Sequence, residues 1–217
     1  DQMAIAIDNA RLLEQVQTAL GQTEQLYNAS RQLVAAPDLA SMVTSFAESL
    51  AVPDINRAVL WLFEYAADSD ELAAAVVAAT WYSGQGEPPQ PIGTRFSPQI
   101  MSSIKFSRTT EPLFSNDLSN DSRIDPHTAE LLRQLKIGAI AILPLWVGGH
   151  QLGLLLLESE RKHIFIESEI RPYTSLAQQM AVAIENRRLF EQIQRDAERE
   201  RTINRITSRL RNAQSVE

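Results

Sequence analysis

The sequence contains no cysteine among its 217 residues. Disulfide bonds, thiolate metal sites, a cysteine nucleophile and a thioether-linked chromophore are therefore excluded. Long apolar runs are also missing, because no apolar run, residues 152–157 included, approaches the roughly 20 residues that cross a bilayer. No signal peptide is visible. Since the chain starts without Met inside a helix-like segment, we expect a piece of a longer, cytoplasmic protein with no membrane partner.

A surplus of basic residues is lacking as well. Twenty Lys and Arg residues stand against 27 Asp and Glu residues, which gives a net charge of −7 and a pI of about 5.1. A general nucleic-acid binder needs a basic face for phosphate, so nucleic acid is not an expected partner. Arginines do cluster near the C-terminus, but Asp196, Glu198 and Glu200 alternate with them, which is typical of a solvated helix.

Motifs that carry chemistry are scarce. No glycine-rich phosphate loop precedes a predicted helix, and the spacing of Ser, His and Asp residues suggests no triad. The only histidines, His127, His150 and His163, are predicted to be exposed loop residues. Because a haem or metal ligand needs a dry site with supporting groups, neither role is favoured, and His127 is the best candidate. We therefore expect no enzyme activity, no catalytic residue and no metal site.

A segment of seventeen residues is nearly repeated at the two ends of the chain. Residues 1–17 read DQMAIAIDNARLLEQVQ and residues 178–194 read QQMAVAIENRRLFEQIQ, with eleven of the seventeen positions identical. The same offset also aligns residues 26–33 with residues 203–210. A fixed period without insertions is typical of an array of modules. Residues 1–17 are therefore interpreted as the exit helix of a preceding module.

Hydrophobic periodicity and turn residues predict the elements between these copies. Helices are predicted at 4–35, from Asp38 as N-cap to about Leu50, at 99–106, at 125–136 and from 167 to about 211. Strands are predicted at 57–65, 71–82, 112–115, 139–147 and 151–158, with a helix as the alternative for 71–82. Residues 83–98 are predicted to form a loop. The order predicts an α+β fold in which helices pack on an antiparallel sheet.

Glycine and proline predict local geometry at four positions. Gly138 is expected to end the helix at 125–136, and Gly148-Gly149 to form a two-residue hairpin turn. Pro144 predicts a bulge or an unpaired position inside its strand. Pro172 is compatible with the last helix if it lies in the first turn.

Heptad spacing in the first helix predicts a partner helix. Apolar residues occur at Leu12, Val16, Ala19, Leu26 and Leu33, which favours a coiled-coil-like seam. The second copy of the repeat places Leu189 and Ile193 at the equivalents of Leu12 and Val16. We therefore expect a parallel homodimer through the terminal helices, with these four residues in its interface.

Residues 139–194 resemble the C-terminal half of a GAF domain. The resemblance is carried by AILPLWVGGHQLGLLLLES, by Phe165, Glu169 and Leu176, and by AQQMAVAIENRRLFEQ. The stretch EPLFSNDLSNDSRIDP is similar to the family's middle loop, in which we expect capping chemistry and a pair between Asp117 and Arg123. The resemblance covers roughly residues 38–190. It implies a five- or six-stranded antiparallel sheet, with the terminal helices on one face and a small-molecule pocket on the other.

The resemblance also implies a domain organisation and limits the cofactor. Residues 1–36 would be an N-terminal linker helix, 37–190 the GAF-like sensory domain and 191–217 a C-terminal linker helix. The cyclic-nucleotide pattern of the family is poorly matched, because Phe165 is followed by Glu169 but no Asn-Lys pair precedes it. Covalent bilin and the sulfoxide-reducing type of GAF domain both require cysteine. The cofactor therefore stays unknown.

Aromatic and polar residues of the middle segment are the candidates for a pocket. Trp81, Phe96, Phe106 and Phe114 lie in or beside this segment, with Arg108 and Ser115 among the nearest polar groups. Pockets are mostly apolar with a few polar groups, although these aromatics could equally fill the core. Trp61 and Trp146 are predicted to be core residues under the terminal helices.

Two functions remain open. One is a sensory module of a two-component-type signalling protein, such as a histidine kinase or a cyclase, that binds a small molecule and signals to adjacent domains through its helices. The other is a structural module with a filled core that only dimerises and relays.

Overall fold

The structure, a computed structural model, describes residues 2–50, 54–66, 69, 71–98, 100 and 109–214. Its helices are α1 (Gln2–Ala35), α2 (Leu39–Leu50), α3 (Pro126–Gln134) and α4 (Glu167–Gln214). Its strands are β1 (Arg57–Tyr65), β2 (Leu72–Tyr82), β3 (Arg95–Phe96), β4 (Leu113–Ser115), β5 (Ala139–Val147) and β6 (His150–Ser159). The chain divides into two compact units, Asp1–Ala181 with the sheet and Val182–Glu217 with the rest of α4.

The strands form one antiparallel sheet in the order β3-β2-β1-β6-β5-β4. The predicted α+β fold with a six-stranded sheet is thus confirmed. The alternative helix at 71–82 is wrong, because β2 pairs with β1 along its length. The prediction of a loop throughout 83–98 is also wrong, since Arg95 and Phe96 pair with Val76 and Ala75 at the sheet edge. The short helix predicted at 99–106 lies mostly outside the described residues.

Both faces of the sheet are buried, which follows from the alternation of side chains along β1. Val59, Trp61 and Phe63 belong to a core with residues of α3 and of the loop before it. Ala58 and Leu60 point to the opposite face, where α2 packs on β1 and β2. Tyr173, near the start of α4, stacks on Phe46 of α2 with ring centroids 6.1 Å apart, so the beginning of α4 joins this helical layer.

Three predicted local signals are confirmed. Asp38 caps α2 by accepting the Ser41 N–H at 2.7 Å, and Asp125 caps α3 by accepting the Thr128 N–H at 3.1 Å. Gly148 and Gly149 have φ values of 59° and 83° between the paired residues Val147 and His150. Positive φ at both positions is what a type I′ hairpin turn requires.

Three local predictions need correction. Lys136, with φ of 55°, takes the left-handed position after α3, so Gly138 is not the residue that ends the helix. Gly138 is small for another reason, because a Cβ there would lie 2.6 Å from the carbonyl oxygen of Glu160. Pro144 stays in register with β6, and the irregularity lies just beyond it, between Leu145 and Trp146. Pro172 is the sixth residue of α4 and lies outside its first turn.

Candidate ligand-binding site

A buried ion pair joins the two central strands. Arg57 opens β1 and lies directly opposite Glu158 near the end of β6. The Nε atom of Arg57 is 2.8 Å from Oε2 of Glu158, and the two side chains are 3% and 4% exposed. Two charges this deeply buried are costly unless they are paired and hydrogen-bonded.

The guanidinium of Arg57 also ties the sheet to two other segments. One terminal nitrogen donates to the carbonyl of Glu87 at 3.2 Å, and the other donates to the carbonyl of Leu135 at 3.1 Å. Glu87 belongs to the loop between β2 and β3, and Leu135 is the residue that caps the C-terminus of α3. Arg57 therefore shares its donors among three acceptors instead of serving Glu158 alone.

This division affects the protonation of Glu158. Burial raises the pKa of Glu158 to about 7, and the charge and hydrogen bond of Arg57 only partly oppose that rise. Glu158 is therefore a carboxyl group that changes its charge near neutral pH in the interior of the domain. Buried groups with shifted pKa values are frequent at functional sites.

An apolar cavity of about 70 Å³ lies beside this pair, between the sheet and α3. Its lining residues are Trp61, Gln90, Phe96, Ile100, Thr128, Leu131, Leu132, Leu135, Ile140, Ile142, Leu154, Leu156 and Glu158. The rings of Trp61 and Phe96 pack against each other with centroids 4.6 Å apart and planes tilted by 33°. Among the described lining residues, the result is an aromatic wall, an aliphatic floor and one ionisable group, Glu158.

Two further polar groups in the lining have no hydrogen-bond partner. The indole Nε1 of Trp61 and the amide Oε1 of Gln90 are buried, and neither meets a partner in the structure as described. Buried donors and acceptors are normally satisfied, and leaving one unpaired costs about 1–3 kcal/mol. These two groups therefore offer a donor and an acceptor to a bound molecule.

A second, polar cavity of about 350 Å³ adjoins the first. It is formed by the loop residues 87–91, the end of α3, Lys136 and Arg57. Gln90, Leu135 and Glu158 line both cavities and so form the partition between them. Lys136 forms an ion pair with Glu87 at this rim. The apolar cavity thus has a charged neighbour from which a ligand could approach.

Of the six residues predicted for a pocket, Phe96 lines the apolar cavity. Trp81 lies opposite Ala58, and Phe114 lies opposite Ala141. Both side chains therefore point to the face of the sheet on which α2 packs, away from the cavity. Ser115 shares the cavity's face of the sheet, but it is fully buried below the loop after β4 and does not line the cavity. Phe106 and Arg108 lie outside the described residues.

The sequence interpretation missed Arg57, Trp61, Gln90 and Glu158. Trp61 was expected under the terminal helices and instead lies on the opposite face. Trp146 is likewise on that opposite face, where it lines a third cavity of about 220 Å³ with Phe63. The trace that these two charges leave in the sequence is weak: a charged residue stands near the end of each of two apolar strands, RAVLWLFEY and HQLGLLLLES, without indicating that the two strands pair there.

The loop between β4 and α3 shows the predicted turn chemistry but different ion pairs. Asp117 and Asp121 each accept the N–H two residues ahead, from Ser119 and Arg123. The predicted Asp117–Arg123 pair is wrong. Arg123 binds Asp121 at 2.6 Å and holds the pKa of that carboxyl well below its usual range, whereas Asp117 pairs with Lys162 at 2.5 Å.

His163 departs most from its prediction, because only 8% of it is exposed. Its Nε2 is 3.0 Å from Glu169 in the first turn of α4, and its Nδ1 is 3.3 Å from Asp54, which precedes β1. The backbone N–H of His163 donates to the carbonyl of Asn116, and the Asn116 amide oxygen accepts the N–H of Phe165. These contacts hold the segment between β6 and α4 in place. His127, by contrast, is exposed as predicted.

The residues predicted for helix pairing are exposed in the single chain: Leu12, Val16, Leu189 and Ile193. One residue of the predicted seam, Leu33, is instead fully buried beside α2. The exposed stripe follows another heptad set, Leu13, Leu20, Tyr27 and Val34, each about 60% exposed. In the repeat, Leu13 corresponds to the exposed Phe190.

Among the residues that the structure describes, no group of three or more His, Asp or Glu side chains is arranged to hold a metal ion. None of the helices within the described ranges is long and apolar enough to cross a membrane.

The fold and the site together define an α+β module whose sheet separates a helical layer from a small apolar cavity. Residues 36–185 match the GAF domain family. This match covers more than half of the chain, and the protein therefore belongs to the GAF domain family. Comparison with curated proteins gives no match.

Solved structures show the same fold. The chromophore-binding domain of a bacteriophytochrome from R. palustris has a TM-score of 0.60 and 13% identity, over 78% of this chain and 62% of that chain. The wild-type domain of Stigmatella aurantiaca phytochrome P1 has a TM-score of 0.59 and 13% identity, over 75% and 59%. The phycocyanobilin-bound GAF domain of a cyanobacterial phytochrome has a TM-score of 0.60 and 17% identity, over 77% and 96%. The chain thus spans about 60% of the length of the first two.

Proposed function

We propose that this GAF domain is the sensory module of a larger signalling protein of the histidine kinase or cyclase type. In this proposal the domain has no enzyme activity and binds a small molecule in the cavity between the sheet and α3. The observation that carries the proposal is the Arg57–Glu158 pair, which lies at the cavity wall and is linked to the sheet, to α3 and to the loop before β3. The relatives in phytochromes, which are described as chromophore-binding, support a sensory role.

The route from the cavity to the output helix is short. Glu158 lies next to the last residue of β6, and α4 begins at Glu167. The connecting segment is held by His163 between Asp54 and Glu169. A ligand that changes the position or charge of Glu158 would therefore act next to a segment that is hydrogen-bonded to the first turn of α4. It can shift α4 only as far as its affinities for the two arrangements differ.

A ligand-free relay is the second candidate. The volume of the apolar cavity, about 70 Å³, favours it, because pockets for drug-sized ligands hold about 300–1,000 Å³. In a relay, the packed core would only hold the dimerising helices in register.

Native mass spectrometry of the purified chain separates the two candidates. A sensor is expected to carry a small molecule that is released on unfolding. Leu131→Trp, which places a larger ring into the cavity wall, is expected to lower the bound fraction at least about tenfold, because filling the cavity removes the site. Arg133→Trp is the matched control, since Arg133 is exposed on the same helix. An empty wild-type protein with no thermal shift across nucleotides, amino acids and oxoacids would establish the relay.

We further propose that the terminal helices form a parallel homodimer. Leu13, Leu20, Tyr27 and Val34 recur every seven residues and are exposed, as a coiled-coil seam requires. The double variant Leu13→Asp with Leu20→Asp is expected to sediment as a monomer. Each substitution removes about 1.5–3 kcal/mol per chain of the free energy gained by burying a leucine in the interface. Ile92→Asp, at an exposed loop residue, is expected to leave the dimer intact. A double variant that sediments as wild type would refute this seam.

A further inference from the structure

The chemistry of the cavity restricts the kind of molecule that the proposed function requires. Glu158 and Gln90 stand together at the partition, and both present acceptor oxygens. The Oε1 of Gln90 has no donor in the described structure, and Glu158 shares Arg57 with two backbone carbonyls. A ligand group that meets both residues should therefore donate hydrogen bonds.

The charges around the partition argue for an amine and against an anionic group. Once Glu158 is ionised, three carboxylates outnumber the cations Arg57 and Lys136 among the described residues here: Glu87, Glu158 and Glu160. Both cations are already engaged, Arg57 with Glu158 and Lys136 with Glu87. A phosphate or carboxylate would bring a fourth negative charge next to two cations that are already paired. An N–H group satisfies the acceptors without adding that charge.

At the opposite end of the cavity, a ligand has to accept a hydrogen bond instead of donating one. Trp61 is more than nine-tenths buried, and its Nε1–H has no acceptor in the described part of the chain. Its ring and that of Phe96 form the wall, so a flat apolar body packs well between them and the aliphatic residues of α3. Along β1, Trp61 lies four residues from Arg57, about 13 Å at the usual strand rise, so an elongated ligand reaches both ends better than a compact one.

We infer that the cavity binds a planar heteroaromatic amine, with its N–H group on Glu158 and Gln90 and a ring nitrogen accepting from Trp61. This rests on the proposed function, because a ligand-free relay would have no such site. Entry from the polar cavity places the amine at the partition and the ring system in the apolar cavity. The ring must widen the small apolar cavity or extend across the partition, which is a displacement that a sensor can transmit.

Three matched probes test each contact separately. 6-Aminoquinoline carries an amine and a ring nitrogen at opposite ends, quinoline lacks the amine, and 2-aminonaphthalene lacks the ring nitrogen. With the full chain at pH 8, calorimetry is expected to show the tightest binding for 6-aminoquinoline. Loss of the ring nitrogen should weaken binding by about threefold to tenfold, as for one neutral hydrogen bond, and loss of the amine should weaken it more, because the amine meets both Glu158 and Gln90. Equal affinity for all three probes would overturn the inference.

Variants assign the contacts to residues. Trp61→Phe is expected to lower the affinity for 6-aminoquinoline about threefold to tenfold and to leave the affinity for 2-aminonaphthalene unchanged. Gln90→Leu should lower the affinity for both amines and leave the affinity for quinoline unchanged. Gln90 is in a loop and Phe retains most of the indole's volume, so both variants should fold. Glu64→Gln is the control, because Glu64 is an exposed carboxylate of β1 paired with Arg95. Weakening of all probes by every variant would overturn the assignment.

The outcomes also distinguish this inference from the proposed function. If the wild type retains another small molecule but binds none of the three probes, the domain is a sensor and the ligand class is wrong. If it retains no molecule and binds no probe, both proposals fail. Binding of 6-aminoquinoline that responds to Trp61→Phe and Gln90→Leu supports both.

Discussion

Gly153→Ala is expected to destabilise the domain by about 3 kcal/mol or more, the upper end of the range for overpacking a core. A Cβ at Gly153 would lie 1.9 Å from the carbonyl oxygen of Trp61 and 2.9 Å from its carbonyl carbon. Both atoms belong to the backbone of β1, which pairs with β6 at this point. The clash therefore cannot be relieved by a change of side-chain rotamer. The two central strands would have to separate.

Urea unfolding of the full chain measures this effect. Gly21→Ala is the matched control, because Gly21 lies within α1 and no atom comes within 4 Å of its added Cβ. The control is expected to gain about 0.5–1 kcal/mol from helix propensity. Gly153→Ala should also weaken the binding of any ligand in the cavity, because the side chain of Trp61 must move with its displaced backbone. A Gly153→Ala protein that unfolds at the wild-type urea midpoint would contradict this account of β6.

The second large effect is a dependence of stability on pH that originates at Glu158. The folded state raises the pKa of Glu158 to about 7 from an ordinary value of 4.5, chiefly by burial. Between these values the folded protein keeps a proton that the unfolded chain releases. The contribution of Glu158 is therefore complete at low pH and is lost as the pH rises through 7, by about 3 kcal/mol in total.

Glu158→Gln is expected to abolish this part of the pH dependence, because the amide cannot ionise. The free energy of unfolding, measured from pH 5 to pH 8, should fall by about 2–3 kcal/mol more for the wild type than for the variant. Arg57 keeps its two carbonyl acceptors in the variant, which should therefore fold. Glu64→Gln removes an exposed carboxylate and should follow the wild-type curve. Parallel curves for wild type and Glu158→Gln would show that Glu158 is ionised throughout.

Much of the fold could be predicted because its signals are local. Three apolar strands and one turn lie within one or two residues of their predicted positions: β1, β5, β6 and Gly148-Gly149. Their signals, an apolar run or a pair of glycines that permits positive φ, involve only residues adjacent in sequence. β3 left no such trace, because its two residues become a strand only by pairing with β2. A loop rich in glycine and proline gives no hint of that pairing.

The candidate site was harder to predict because its parts meet only in three dimensions. Phe96 was found from its position in the middle segment. Arg57 and Glu158 stand at strand ends where charged residues are common, and nothing near either one indicates the other. His163 was misjudged for a related reason. Its neighbours in sequence are charged, but Asp54 and Glu169 reach it from separate elements and enclose it.

The position of β1 and β6 at the centre of the sheet has a consequence for how the domain forms. Each is the other's neighbour, yet β1 is the first strand along the chain and β6 is the last. Pairing across such a separation closes a loop of nearly the whole domain, which slows folding relative to helical proteins of similar size. On the ribosome, β1 and β2 can pair early, but one edge of β1 stays open until β6 has left the exit tunnel. Folding of the domain is therefore expected to be completed only after β6, the strand that carries Glu158 to Arg57, has emerged.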